Sequence, residues 1–328
     1  MRIIMDTNLW SYLGDEGAAE QFQSLVNSRG LTVVVPPSTL NEVLLLPSAQ
    51  PRRRIIDVLT YARRVRLTSE AQLESMELVV ESQRCRPAWV KSMVDSAKVA
   101  SLNTYWTKRV WRDAKETPEA IHNFLIQQRS KENLILESQK RIRKQILQDH
   151  FDITDLSNLQ LAARDAPAGY LRGWSGDPVD AWRVQTRDYY WHQLRIARRA
   201  CLTKEDATVG DWVGAYLDLQ RVVGDPADFT LFWIEDVQVK SLRRNWVRWA
   251  VETAQTALKI SRGNPRDGQH STHLFDCDVF LSADQRYVKT LQLVASHAPF
   301  LLAEPRFVSP SQGRSTVERI EAVLLGDV

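Results

Sequence analysis

The chain opens "MRIIMDTNLW", where residues 2–5 are apolar apart from Arg2 and run directly into Asp6, Thr7 and Asn8. A short continuous apolar run of this kind predicts a buried strand. Over residues 9–28 the apolar positions Leu9, Leu13, Phe22, Leu25 and Val26 fall on a helical period, and Gly30 predicts its end. "LTVVVPP" (31–37) is β-branched, continuous and stopped by two prolines, which predicts a second strand. "STLNEVLLL" (38–46) then opens a helix. Strand, helix, strand, helix is the start of a parallel α/β unit.

From residue 52 to 150 the strand signal disappears. The stretch is rich in Lys, Arg, Glu and Gln with helical apolar spacing, as in "ENLILESQKRIRKQILQDHF" (132–151), and predicts several long helices. Gly and Pro concentrate in "ARDAPAGYLRGWSGDPVDAW" (163–182), a predicted linker or ordered loop. Further helices are predicted at 189–202 and 239–258, broken at "RGNP" (262–265). The α/β pattern then returns: a helix in "DGQHSTHLF" (267–275), a strand in "DVFLSAD" (278–284) that again runs into a carboxylate, a helix over 285–295, and a closing strand or pair of strands in "PFLLAEPRFVSP" (299–310). The expected architecture is an α/β domain made of residues 1–50 and 262–328, split by a mostly helical insertion, 51–261.

Composition changes this picture in one respect. The net charge of +3 conceals basic and acidic blocks: residues 51–150 hold 20 basic and 12 acidic side chains, whereas residues 1–50 hold 2 and 5, and residues 267–328 hold 5 and 8. A basic middle beside acidic ends suits either solvated helices or a polyanion-binding region next to an acidic site. The three cysteines, Cys85, Cys201 and Cys277, have neither disulfide-framework nor zinc spacing, so a reduced cytoplasmic setting is expected. No apolar segment has the length of a membrane span or the form of a secretory signal. Walker-type, G-x-G-x-x-G and G-x-S-x-G motifs are absent.

The acids carry the candidate chemistry. In an open parallel sheet, ligands bind in the crevice outside the carboxyl ends of the strands. Asp6 ends the first strand and Asp284 the "DVFLSAD" strand; Glu42 follows the second strand, and Asp267 begins the helix that feeds the fourth. Carboxylates brought that close repel one another unless a proton or a divalent cation intervenes. Oxygen-only ligands suit Mg²⁺ or Mn²⁺ better than zinc. Each acid also has a structural reading. Asp6 and Asp267 could cap helices, Asp284 could be a turn residue after its strand, and Glu42 could complete a capping box with Thr39. Asp276 is the alternative third acid, and His270 lies one helical turn beyond Asp267.

These pieces resemble the PIN-domain nucleases. The resemblance rests on "IIMDTN", "PPSTLNEVL", "RDGQHSTHLFDCDVFLSAD" and the closing strand, and covers roughly residues 1–50 and 262–310. It implies a PIN-like parallel-sheet sandwich, an α/β fold, here split by the large α-helical insertion. It implies a hydrolase, a metal-dependent endoribonuclease, with Asp6, Glu42, Asp267 and Asp284 as catalytic acids and ligands of Mg²⁺ or Mn²⁺. Asn8 and Ser282 would support them. From its position one turn beyond Asp267, and not from the resemblance, His270 reads first as a surface histidine and second as a supporting or substrate contact. The sequence departs from compact members in the more than two hundred residues between Glu42 and Asp267. Members are often toxins held by an antitoxin, so a growth-arrest or phage-defence role follows by analogy. A structure-specific DNA nuclease and a non-catalytic RNA- or partner-binding protein are the alternatives.

The insertion holds ten of the eleven tryptophans, several beside basic residues, as in "WTKRVWRD" (106–113) and "RNWVRW" (244–249). Charge with aromatic faces suits single-stranded nucleic acid, and helical Trp spacing equally suits a core. Arg195, Arg198, Arg199, Arg141 and Lys144 are the expected contacts to an RNA substrate such as tRNA or another structured RNA. The oligomeric state is not readable.

Overall fold

The computed structural model describes residues 1–62, 64–127, 137, 140, 141, 143, 144, 155–161, 172–174, 176–198, 208–258, 264–310 and 313–326. Five strands form one parallel sheet: β1 (Arg2–Met5), β2 (Thr32–Val35), β3 (Val65–Arg66), β4 (Val279–Ser282) and β5 (Glu304–Phe307). Their order is β3-β2-β1-β4-β5. The protein is therefore an α/β fold with a helical insertion between β3 and β4. β1 is central: Ile3 pairs with Val33 on one side and Val279 on the other, and Ile4 with Val34 and Phe280. Ile3, Ile4 and Met5 have no exposed surface, which explains why this strand reads as an unbroken apolar run.

The helices flanking the sheet are α1 (Thr7–Asp15), α2 (Ala19–Ser28), α3 (Pro37–Leu44), α4 (Ala49–Thr60), α5 (Asn264–Ser271), α6 (Gln285–His297) and α7 (Thr316–Leu325). The single helix expected over 9–28 is two. Gly17 adopts φ +63°, a left-handed conformation open to glycine, and the chain turns there between α1 and α2. The expected loss of strand signal after residue 52 hides β3. Its two residues form an edge strand paired to Val34 and Val35, too short to show any period. The 299–310 stretch supplies one strand. α7 begins at a capping box of Ser315 and Glu318.

The chain divides into two compact units: residues 1–70, 104–151 and 251–328, and residues 71–103 and 152–250. The first holds the sheet. Trp10 anchors its core, donating Nε1–H to the Met5 carbonyl at 3.1 Å and meeting Phe22 edge-on at 5.7 Å. Val110, Trp111 and Ala114, from the basic middle stretch, belong to the same core.

The second unit is helical and aromatic. Trp182 and Thr186 both donate to Asn245 Oδ1 at 3.0 Å, and Trp249 donates to Gln185 Oε1 at 2.7 Å. Tyr190 stacks on Trp233 at 5.1 Å. Across both units, eight of the ten tryptophans between 51 and 261 are buried: Trp89, Trp111, Trp182, Trp191, Trp212, Trp233, Trp246 and Trp249. Those rings are core, not faces on which a base could stack. Among the described residues Cys85 and Cys277 are free, and no helix is long and apolar enough to cross a membrane.

Candidate active site

In this sheet the chain order runs outward from β1 through β2 to β3, then resumes on the other side of β1 with β4 and β5. The order therefore reverses between β1 and β4, and the crevice beyond their carboxyl ends is the topological switch point. Asp6 follows β1 directly, its N–H still bonded to the Leu281 carbonyl at 2.8 Å. Asp284 lies two residues beyond the end of β4.

Asp6 caps α1, as the structural reading allows, and also faces the crevice. Its Oδ1 accepts the Thr7 N–H at 2.7 Å, while Oδ2 accepts from Ser282 Oγ at 2.6 Å and Asn8 Nδ2 at 2.8 Å. Despite these bonds its pKa is raised. Burial is the main cause and the Glu42 charge adds to it; the His270 ring, Ser282 and the Thr7 amide pull the other way. Asn8 joins the two strand ends, since its Oδ1 accepts the Ala283 N–H at 3.0 Å. Ser282 is fully buried and accepts the Asp284 N–H at 2.9 Å.

Asp284 caps α6, with Oδ1 accepting from the Arg286 and Tyr287 amides at 2.8 and 3.1 Å. Both bonds fall on Oδ1, so the cap does not use Oδ2. Glu42 does not form the capping box expected with Thr39. α3 starts one turn too early for that, with Pro36 at its N-cap, and Glu42 instead accepts the Thr7 hydroxyl. Asp267 sits in the first turn of α5, where the helix dipole favours an anion. Its Oδ2 accepts from Gln255 Nε2 at 2.7 Å. Its pKa is raised well above the usual range, first by burial and then by the charge of Asp6, with Glu42 and Asp284 contributing and the Gln255 bond opposing. Gly268 lets α5 approach its neighbour, because a Cβ there would stand 2.8 Å from Glu252 Cγ and Oε1.

The four acids thus share one electrostatic neighbourhood. Tyr287 sits among them. Its buried hydroxyl donates to the Asp267 carbonyl at 2.8 Å, and its pKa is pushed well up by burial and by Asp267, Asp6, Glu42 and Asp284. His270 is 2% exposed, with Nε2 3.6 Å from Glu42 Oε2. Asp276 is engaged elsewhere, 2.9 Å from Nδ1 of His273, whose Nε2 meets Glu70 at 2.9 Å. Asp278 accepts the Arg2 N–H at 2.7 Å at the head of the sheet.

Among the described residues no three His, Cys, Asp or Glu side chains stand close enough, as they lie, to enclose an ion. The donor chemistry still fits a hard divalent cation. The donors are carboxylate oxygens, and burial with mutual repulsion makes two of them poor anions without a counter-charge.

Thr7, with Asn8, matches the small polar pair after the first acid, but its bond to Glu42 was not anticipated, and neither were Gln255 and Tyr287. Tyr287 was the most accessible, lying three residues past Asp284 on the first turn of α6; Gln255 carries no local signal. Of the expected RNA contacts, Arg195, Arg141 and Lys144 are exposed. Arg195 sits over the Trp191 ring at 5.6 Å. The Arg198 side chain and Arg199 lie outside the described residues, as does most of 132–151. Comparison of the chain with protein-family models, with curated proteins and with solved structures finds no match.

Proposed function

We propose that this protein is a metal-dependent nuclease of the PIN type that hydrolyses RNA phosphodiester bonds. The observation that carries this reading is the electrostatic coupling of Asp267 to Asp6, Glu42 and Asp284 at the switch point of a five-stranded parallel sheet, with the four acids in the order along the chain that the resemblance expects. A divalent cation, Mg²⁺ or Mn²⁺, would supply activated water and neutralise charge developing on the phosphate.

The chain's own residues provide placement. Ser282 fixes Asp6 from β4 and Asn8 from α1, Thr7 fixes Glu42, and Gln255 fixes Asp267. Asp284 is fixed by its own cap, leaving Oδ2 for a ligand. These bonds hold the carboxylates against mutual repulsion, so the site is preorganised for positive charge. Exposed Arg141, Lys144 and Arg195 would meet the phosphates of the substrate. A toxin or phage-defence role, with an antitoxin as partner, rests on the resemblance alone.

The test is incubation of purified protein with total RNA in Mn²⁺, Mg²⁺ or EDTA, beside Asp6→Asn. Cleavage should require the ion and Asp6. A matched substrate with a 2′-deoxy position at the cut site separates RNA from DNA hydrolysis. Undiminished cleavage by a folded Asp6→Asn protein would overturn the assignment.

A further inference from the structure

We propose that His270 is a nitrogen ligand of the cation at this crevice, and that its imidazole converts an all-oxygen site into a mixed one preferring Mn²⁺ to Mg²⁺. The inference rests on the reading of the four acids as a metal site, and adds the ligand that sets which metal is taken.

His270 is 2% exposed, and neither Nδ1 nor Nε2 has a hydrogen-bond partner. Burying two unsatisfied polar atoms is costly, and native structures rarely leave such groups without a reason. α5 places His270 one turn beyond Asp267, so both project toward the same side of the helix. Nε2 stands 3.6 Å from Glu42 Oε2. That is long for a hydrogen bond. Two donors on adjacent positions of one ion stand about 3 Å apart for bonds of ~2.1 Å, so a side-chain shift of about half an ångström would bring both onto one ion.

Both Asp6 oxygens and Glu42 Oε2 already have other donors. Asp6 takes Thr7, Asn8 and Ser282, and Glu42 Oε2 takes the Thr7 hydroxyl. A protonated imidazole offsetting the acids would present two N–H donors, each needing an acceptor within about 3 Å. Neither nitrogen has one. His273, three residues on, shows what a paired buried histidine looks like in this fold, with a carboxylate 2.9 Å from each nitrogen. A lone pair aimed at a cation resolves the difference. Mn²⁺ also favours oxygen ligands, but as a transition ion it admits an imidazole nitrogen among them more readily than Mg²⁺, which strongly prefers oxygen and water.

The experiment is pulsed electron paramagnetic resonance on the full-length protein loaded with Mn²⁺ alone. Wild type should show modulation from a directly bound ¹⁴N nucleus, replaced by a ¹⁵N pattern in protein grown with ¹⁵N-histidine. That comparison does not depend on any variant folding. His270→Gln should remove the coupling and weaken Mn²⁺ binding about tenfold or more, with a clearly smaller loss for Mg²⁺. Mn²⁺ bound in an Asp6-dependent way without nitrogen coupling, or equal losses for both ions, would overturn the role of His270 and leave the acidic site standing. Absence of Mn²⁺ binding, or binding that Asp6→Asn does not weaken, would overturn the acidic site itself and the inference with it.

Discussion

Asp267 and His270 face one buried cluster of ionisable groups; His273 and Asp276 belong to another, a turn further along the same segment. In the second cluster signs alternate. Glu70 and Asp276 flank His273, and the imidazole's bonds and charge draw Glu70 down to about 2 despite its burial. The two carboxylates raise His273 against the same desolvation. In the first cluster four acids meet, Asp6 and Asp267 are both raised, and the nearby imidazole is unbonded. A cluster that satisfies itself needs nothing from outside and holds the fold together. One that repels itself, yet is fixed by Ser282, Asn8, Thr7 and Gln255, keeps its cost for something the chain does not supply.

The widest gap between the two clusters should appear as activity without stability. Asp6→Asn and Asp284→Asn should each lower RNA cleavage by about 10³-fold or more. Metal-free Asp6→Asn should melt no lower than wild type, because it removes a buried, repelled carboxylate while the amide oxygen can still accept from Thr7. Cleavage assays paired with calorimetry read both. A large drop in melting temperature would place Asp6 with the stabilising residues instead.

The matched cluster should behave in the opposite way. His273→Gln leaves Glu70 and Asp276 buried without their cation and should cost about 3–5 kcal/mol by denaturant titration. The pH dependence has two limbs. His273 is raised above 6.5 when folded, so its contribution is whole below 6.5 and is lost as pH rises through the folded value. Glu70 is lowered from 4.5 to about 2, so its contribution is whole above 4.5 and is lost as pH falls toward 2. Together they give a plateau between 4.5 and 6.5 that His273→Gln should flatten. An unchanged pH profile in that variant would show that the triad is not a source of stability.

A divalent ion should bring the two clusters closer in character. Asp6 and Asp267 are raised above 3.8, so without metal each subtracts stability as pH rises through its folded value. An ion that binds their ionised forms should therefore stabilise more at pH 8 than at pH 5, with a gain at pH 8 of about 3 kcal/mol at a hundredfold excess over the Kd at that pH. Equal gains at both pH values would place the ion outside this cluster.

What was legible in the sequence follows the same division. The central strands announce themselves, because burial on both faces leaves an uninterrupted apolar run in "RIIM" and "VFLS". The strand-end acids were legible because a carboxylate straight after such a run is a local pattern. β3 was not, since two edge residues have no period. The capping box at Thr39 and Glu42 was a local pattern that tertiary structure overrode: Pro36 set the start of α3, and Thr7, thirty-five residues earlier, claimed the Glu42 carboxylate. His273 resembles His270 in sequence; the neighbouring Asp276 and the distant Glu70 together separate their fates. The tryptophans gave opposite readings, and burial resolves eight of them as core.

With those rings committed to the core, the proposed recognition of a polyanion falls to exposed charge, where the smallest effect is expected. Arg195 is exposed on the helix Ala181–Arg198, its guanidinium 5.6 Å from the Trp191 ring. That contact steadies the charge without burying it. Arg195→Glu should weaken RNA binding several-fold and reduce the slope of log affinity against log salt by about 1, with melting temperature nearly unchanged. Arg141→Glu and Lys144→Glu, on the other unit, repeat the test. If all three keep the wild-type slope, the exposed charge is a solvated surface, and the acidic crevice must draw its substrate by contacts elsewhere. If Arg195 alone changes it, the helical unit carries recognition and the sheet unit carries chemistry.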